Sequence, residues 1–219
     1  MPAVRPEFQP TLPALLRKRF GLRERTTIAL LLLALALLAV LVVLVRPRVD
    51  NVSTAVHSGD PAFTMEYDNR ALESVQPQGD ELARLEGERG RQSVLITVRP
   101  LDLPASGGDI AHGVLPTYAS GHIRELAAEL DRFELRAQHR ARVQRAPGYE
   151  VRFRTGQPGR QTFGIDILLL PDEEQAEGAL LLSFRREVDG PLRLTKAERR
   201  FATQASEAFR SLRYGTLPD

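Results

Sequence analysis

Between Thr26 and Val45 the chain reads TTIALLLLALALLAVLVVLV, twenty residues without a charge. At about 1.5 Å of rise per residue, a helix of this length spans the roughly 30 Å hydrocarbon layer of a bilayer. A buried core helix is ordinarily shorter and amphipathic. The run therefore predicts a transmembrane helix over 26–46, and every other segment has to be assigned to one side of it.

The flanks set the orientation. Arg17, Lys18, Arg19, Arg23 and Arg25 precede the span, whereas only Arg46 and Arg48 follow closely, with Asp50 next. The excess of positive charge keeps the N-terminal side in the cytoplasm, so residues 1–25 read as a cytoplasmic segment and the rest as extracytoplasmic. Cleavage as a signal peptide is disfavoured. The apolar run exceeds a usual signal core, and Arg46-Pro47-Arg48 follows it in place of a small-x-small site. With no cysteine in the chain there is no lipid attachment point either. The segment reads as a signal anchor in a cell membrane, with the lipid bilayer as its first partner. Leu12, Leu15, Leu16 and Phe20 fall near one face of a possible short interfacial helix, the alternative being a charge cluster that only sets topology.

The overall charge of +2 divides unevenly. Of the 30 Lys and Arg and the 28 Asp and Glu, seven and two respectively lie before Pro47, so the residues from 47 onward are slightly acidic. The basic pI of 9.3 belongs to the N-terminal end. A nucleic-acid protein should be basic where it binds, and that class is set aside. Lacking cysteine, the outer part must also fold without disulfides.

Residues 47–60 are polar and unperiodic and read as a linker; 61–215 read as one extracytoplasmic α+β domain. FTMEYD, ELARLEGE and QSVLITVRPL predict three strands, and DLPASGGD a loop. Pro116 opens a helix in which Tyr118, His122 or Ile123, Leu126 and Leu130 recur at helical spacing. In LRAQHRARVQR, Leu135, Ala137, His139, Ala141 and Val143 alternate with arginine and glutamine, the period of a half-buried strand with the odd residues inward. YEVRFR continues it, with Tyr149, Val151 and Phe153 inward and Glu150, Arg152 and Arg154 outward. TFGIDILLL and GALLLSFRRE are apolar enough for central strands, joined by the acidic turn PDEEQAEG. Thr195 and Glu198 form a capping box ahead of a closing helix with Phe201, Ala202, Ala205, Phe209 and Leu212 on one stripe and Gly215 as its stop.

This order, an antiparallel sheet flanked by helices, resembles the PsbP-like α/β/α sandwich family and its membrane-anchored bacterial envelope relatives. The likeness covers about residues 61 to 214 and rests on Phe63–Tyr67, Tyr149–Phe153, Gly164–Leu170, Ala179–Phe184 and Phe201–Leu212. It implies a non-catalytic binding or accessory module with no cofactor and no family set of catalytic residues. The reading is a single-pass envelope protein whose outer domain binds a protein partner or an anionic cell-surface ligand. An anchored envelope hydrolase, and a small accessory subunit of a membrane complex, are the alternatives.

Candidate chemistry is sparse. His57, His112, His122 and His139 show no metal-ligand spacing. Ser106, Asp109 and His112 lie together in a glycine-rich loop without a nucleophile-elbow motif. That leaves Arg136, Arg140, Arg142, Arg152 and Arg154. If their strands form a hairpin, five guanidinium groups share one face, either solvated or available to a carboxylate or phosphate.

Overall fold

Two antiparallel sheets and two helices carry the chain in a computed structural model that describes residues 51–103, 115–171 and 178–215. Strands β1 (Val52–His57), β2 (Phe63–Asp68), β3 (Glu73–Val75), β4 (Ala83–Arg89) and β5 (Gln92–Leu101) come first. Helix α1 (Leu115–Glu129) follows, then β6 (Glu134–Val143), β7 (Ala146–Gln157), β8 (Arg160–Leu169) and β9 (Ala179–Asp189). Helix α2 (Lys196–Arg210) and the short β10 (Arg213–Tyr214) close it. The large sheet has the order β3-β4-β5-β9-β8-β7-β6 and the small one β1-β2-β10. The transmembrane run 26–46, the flanking Arg17, Lys18, Arg19, Arg23 and Arg25, the Ser106–His112 cluster and the acidic turn 172–177 lie outside the described residues. Among the described residues no helix is long and apolar enough to cross a membrane.

The topology explains why one sheet face is only half covered. After β5 the chain must reach the far edge, and α1 lies along that path before β6. Three successive hairpins then bring it back until β9 pairs with β5. Leu115, Ala119 and Leu126 of α1 pack on Val151, Phe153, Leu168 and Leu170, at the β7–β8 end of the sheet. On the opposite face α2 and the small sheet share the main core. Phe201, Ala205 and Phe209 meet Phe63 and Met65 of β2 and Val94, Ile96, Leu182 and Phe184 of the large sheet. Each of these buried side chains other than Ala205 contributes about 1.5–3 kcal/mol.

Helix α2 begins where its sequence says. The Thr195 hydroxyl accepts from the Glu198 amide at 3.2 Å, and the Glu198 carboxylate accepts from the Thr195 amide at 2.7 Å. Glu198 also accepts from the Arg91 amide, which ties the cap to the β4–β5 turn. The helix ends at Arg210 with Ser211 as its cap, not at Gly215. A turn tight enough for β10 to return to β2 requires this earlier stop. Tyr214, buried there, donates its hydroxyl to the Leu169 carbonyl at 3.1 Å.

Three further expectations change. Residues 52–57 are not linker but β1, paired along its length with β2. Its valines 52 and 56 face solvent while Ser53, Ala55 and His57 are half-buried, so the hydrophobic pattern is inverted and gave no strand signal. The helices flank the sheet as expected, but a second sheet shares a layer with α2.

The third change concerns the arginines. Val143 pairs with Ala146 across the two-residue turn Gln144–Arg145, where Gln144 takes φ 52°. A two-residue turn pairs odd residues with even ones, so the odd sets of β6 and β7 go to opposite faces. Arg140 lies opposite Tyr149 and Arg142 opposite Pro147, on the α1 face; Arg152 lies opposite Ala137 and Arg154 opposite Glu134, on the α2 face. The five guanidinium groups therefore do not share a face. His139 is half-exposed opposite Glu150 instead of inward, and Glu150 itself is buried instead of outward.

Candidate functional site

A groove of about 550 Å³ opens beside α1, over the part of the sheet that the helix leaves bare. Its floor is built by register. Arg84, Thr97, Ser183 and Asp166 are consecutive cross-strand partners on β4, β5, β9 and β8. They form one polar row on the face where Val94, Ile96 and Leu182 do not point. The next row runs Glu86, Leu95, Arg185, Gly164, Phe153.

Asp166 is the most deeply placed acid among the described residues, with no exposure at all. Arg185 donates to both of its oxygens, Nη1 to Oδ1 at 2.5 Å and Nη2 to Oδ2 at 2.9 Å. His122 Nε2 lies 2.8 Å from Oδ2. An ionised carboxylate has no proton to give, so Nε2 carries the hydrogen of this bond. Burial alone would raise the Asp166 carboxyl; the Arg185 charge and the His122 and Arg185 hydrogen bonds outweigh it and hold the group at about 2.

Each partner is held in turn. Leu115, Ala119, His122 and Leu126 follow the i, i+4, i+7, i+11 spacing of one helical stripe, which aims His122 at the sheet. The Arg185 guanidinium sits 4.6 Å from the centroid of the Phe153 ring. Phe153 reaches that position across Gly164, where a Cβ would come within 2.2 Å of the ring. At the other end of the floor, buried Glu81 accepts from Arg84 at 3.1 Å, from Arg99 at 3.3 Å and from the Gln78 amide at 3.0 Å. Desolvation raises its pKa, but these bonds prevail and lower it. Arg84 also donates to Glu86 at 2.6 Å.

These groups brace one another. The pairing of Asp166 with His122 looks like half of a catalytic triad, but the bidentate Arg185 neutralises the carboxylate and occupies both oxygens. Among the described residues no hydrogen bond joins Ser183 to His122. The arrangement holds charges at fixed positions along a groove, which is what recognition of a polar ligand requires.

The arginines named from sequence are elsewhere. Glu134 bridges Arg136 and, at 2.5 Å, Arg154, while Arg152 pairs with buried Glu150. Arg140 and Arg142 have no ion-pair partner among the described residues and are exposed. His57 stacks on Phe63. The cluster that sequence reading missed left two signals: an acid inside the apolar run GIDILLL, and a histidine on the buried stripe of a helix.

No protein-family model matches the chain, and no curated protein is significantly similar to it. Among solved structures it is similar to cyanobacterial PsbP (CyanoP) from Synechocystis, at 13% identity and a TM-score of 0.45 over 77% of this chain and 95% of that one. It is also similar to LpqN, a protein involved in cell envelope biogenesis of Mycobacterium tuberculosis, at 11% identity and a TM-score of 0.46 over 77% and 94%. The reading of the groove stands on this chain's own residues.

Proposed function

We propose that this chain is a single-pass envelope protein with a cytoplasmic N-terminus and an extracytoplasmic, non-catalytic binding domain, and that its ligand or partner occupies the groove beside α1. The observation that carries this reading is the preorganised floor: Asp166, Arg185 and His122 are fixed by one another at the edge of a cavity wide enough for a ligand. The β6–β7 arginines fit a solvated surface better, because three of them are neutralised by Glu134 and Glu150 and the other two face the opposite way.

A photo-crosslinking residue at Tyr118, in the groove wall, tests the site in the full-length protein in its own membrane; one at Arg142 serves as comparison. Adducts from Tyr118 alone are expected, and adducts from Arg142 alone would overturn the placement. A periplasm-active reporter fused after Asp219 should be active, and activity of a cytoplasmic reporter there would reverse the topology. The anchored hydrolase has one observation in its favour, the Asp166–His122 bond beside Ser183. It predicts ester turnover that is lost in Ser183→Ala; the binding module predicts no turnover in either form.

A further inference from the structure

Two hydroxyls at the centre of the floor define what the groove can hold. Thr97 and Ser183 are 5% and 8% exposed, face each other across β5 and β9, and line the cavity. Neither side-chain oxygen has a hydrogen-bond partner among the described residues. Neither oxygen is among the described atoms that are sealed from solvent without a partner, so both open onto the groove and bond whatever fills it. Each of these hydroxyls can both donate and accept, so together they fit a ligand that does the same.

The charges around them narrow the class. Arg84 is bound to Glu81 and Glu86, Arg99 to Glu81 and Asp80, and Arg185 to Asp166, so every arginine of the floor is already neutralised. The rim adds Glu125 and Glu129 of α1 and Asp102 after β5, all exposed and lining the groove. No uncompensated cation remains for a phosphate or carboxylate, and three acids oppose one. Between the polar groups, Leu95, Leu181 and Tyr118 offer apolar surface.

We infer that the groove binds a saccharide, uncharged or amine-bearing, whose hydroxyls bond Thr97 and Ser183 and whose C–H face lies against Tyr118 and the leucines. Anionic sugars are rejected by the rim. This rests on the groove being the binding site, and it replaces the anionic ligand expected from the arginines.

The test is calorimetric titration of the full-length protein in detergent with three trisaccharides: chitotriose, which is neutral, its de-N-acetylated form, which carries amines, and trigalacturonate, which carries carboxylates. The first two should bind, and the third about ten-fold more weakly or not at all. Thr97→Val and Ser183→Ala should each weaken binding by up to about ten-fold, the scale of one lost hydrogen bond, with the melting temperature nearly unchanged. Arg142→Ala should leave binding as it is. Absence of binding by all three sugars, equal binding of trigalacturonate, or unaltered affinity in both hydroxyl variants would overturn the proposal. If no sugar binds while Tyr118 still crosslinks a partner, the saccharide is wrong and the groove stands. If sugars bind but both hydroxyl variants bind as well as the parent, the site itself lies elsewhere.

Discussion

The β6–β7 hairpin and the groove beside α1 contain the same ingredients, arginines and carboxylates on neighbouring strands, and use them oppositely. On the hairpin, at the edge of the sheet, the pairs are half in water: Arg152 is 43% exposed and Arg136 53%. In the groove the central acid is fully buried and three elements hold it. Water weakens each surface pair to little net value, while the buried set cannot lose one member without stranding the others. The density of arginine in a stretch of sequence therefore says less than the depth at which each one ends.

The sharpest way to break this comparison is Asp166→Asn. It leaves the half-buried Arg185 charge without its counter-ion at the one site where the acid is fully buried, and a loss of about 3 kcal/mol is expected in unfolding followed by circular dichroism. A loss no larger than that of a hairpin variant would make the two regions equivalent. Acid should sharpen the same point. An unfolded aspartate titrates near about 3.9, whereas Asp166 titrates at about 2 when folded. Its contribution is complete above the unfolded value and disappears as pH falls from about 4 towards 2, because the unfolded chain then binds the proton first. The stability gap between parent and Asp166→Asn, measured at pH 7 and pH 3, should narrow at the lower pH.

Within the hairpin the effects should divide by face. Arg152→Glu places a second carboxylate on buried Glu150 and should cost about 1–3 kcal/mol. Gly164→Ala, which pushes against the Phe153 ring beneath Arg185, belongs to the same range, about 1–3 kcal/mol of overpacking. Thr195→Ala removes one half of the capping box and should cost about 1 kcal/mol. Arg140→Glu and Arg142→Glu should stay within about 0.5 kcal/mol, and a larger loss would contradict their exposed placement.

Much of the fold was readable because it rests on local rules. The capping box of α2, the stripe on each helix and the run of strands from β6 to β9 depend on residues close in sequence, and the structure has them all. The linker reading failed at β1 because its valines point outward, leaving a strand defined by pairing with β2 instead of by burial. The groove was unreadable for a related reason. Arg84, Thr97, His122, Asp166 and Ser183 come from four strands and a helix spread over a hundred residues, and only the order β4-β5-β9-β8 brings them together. The arginine face was misread through parity, since alternation within a strand is visible in sequence and the register between two strands is not.

The Gln144–Arg145 turn also defines how this domain can change over time. A single residue inserted there would exchange the two faces of β6, carrying Arg140 and Arg142 over to the side of Arg152 and burying what now meets water. The hairpin's own irregularity between Leu135 and Ala137 already performs such an exchange once, which is how Glu134 comes to lie opposite Arg154. Among relatives of this chain, lengths of these two short segments should be more constrained than the identity of any arginine between them.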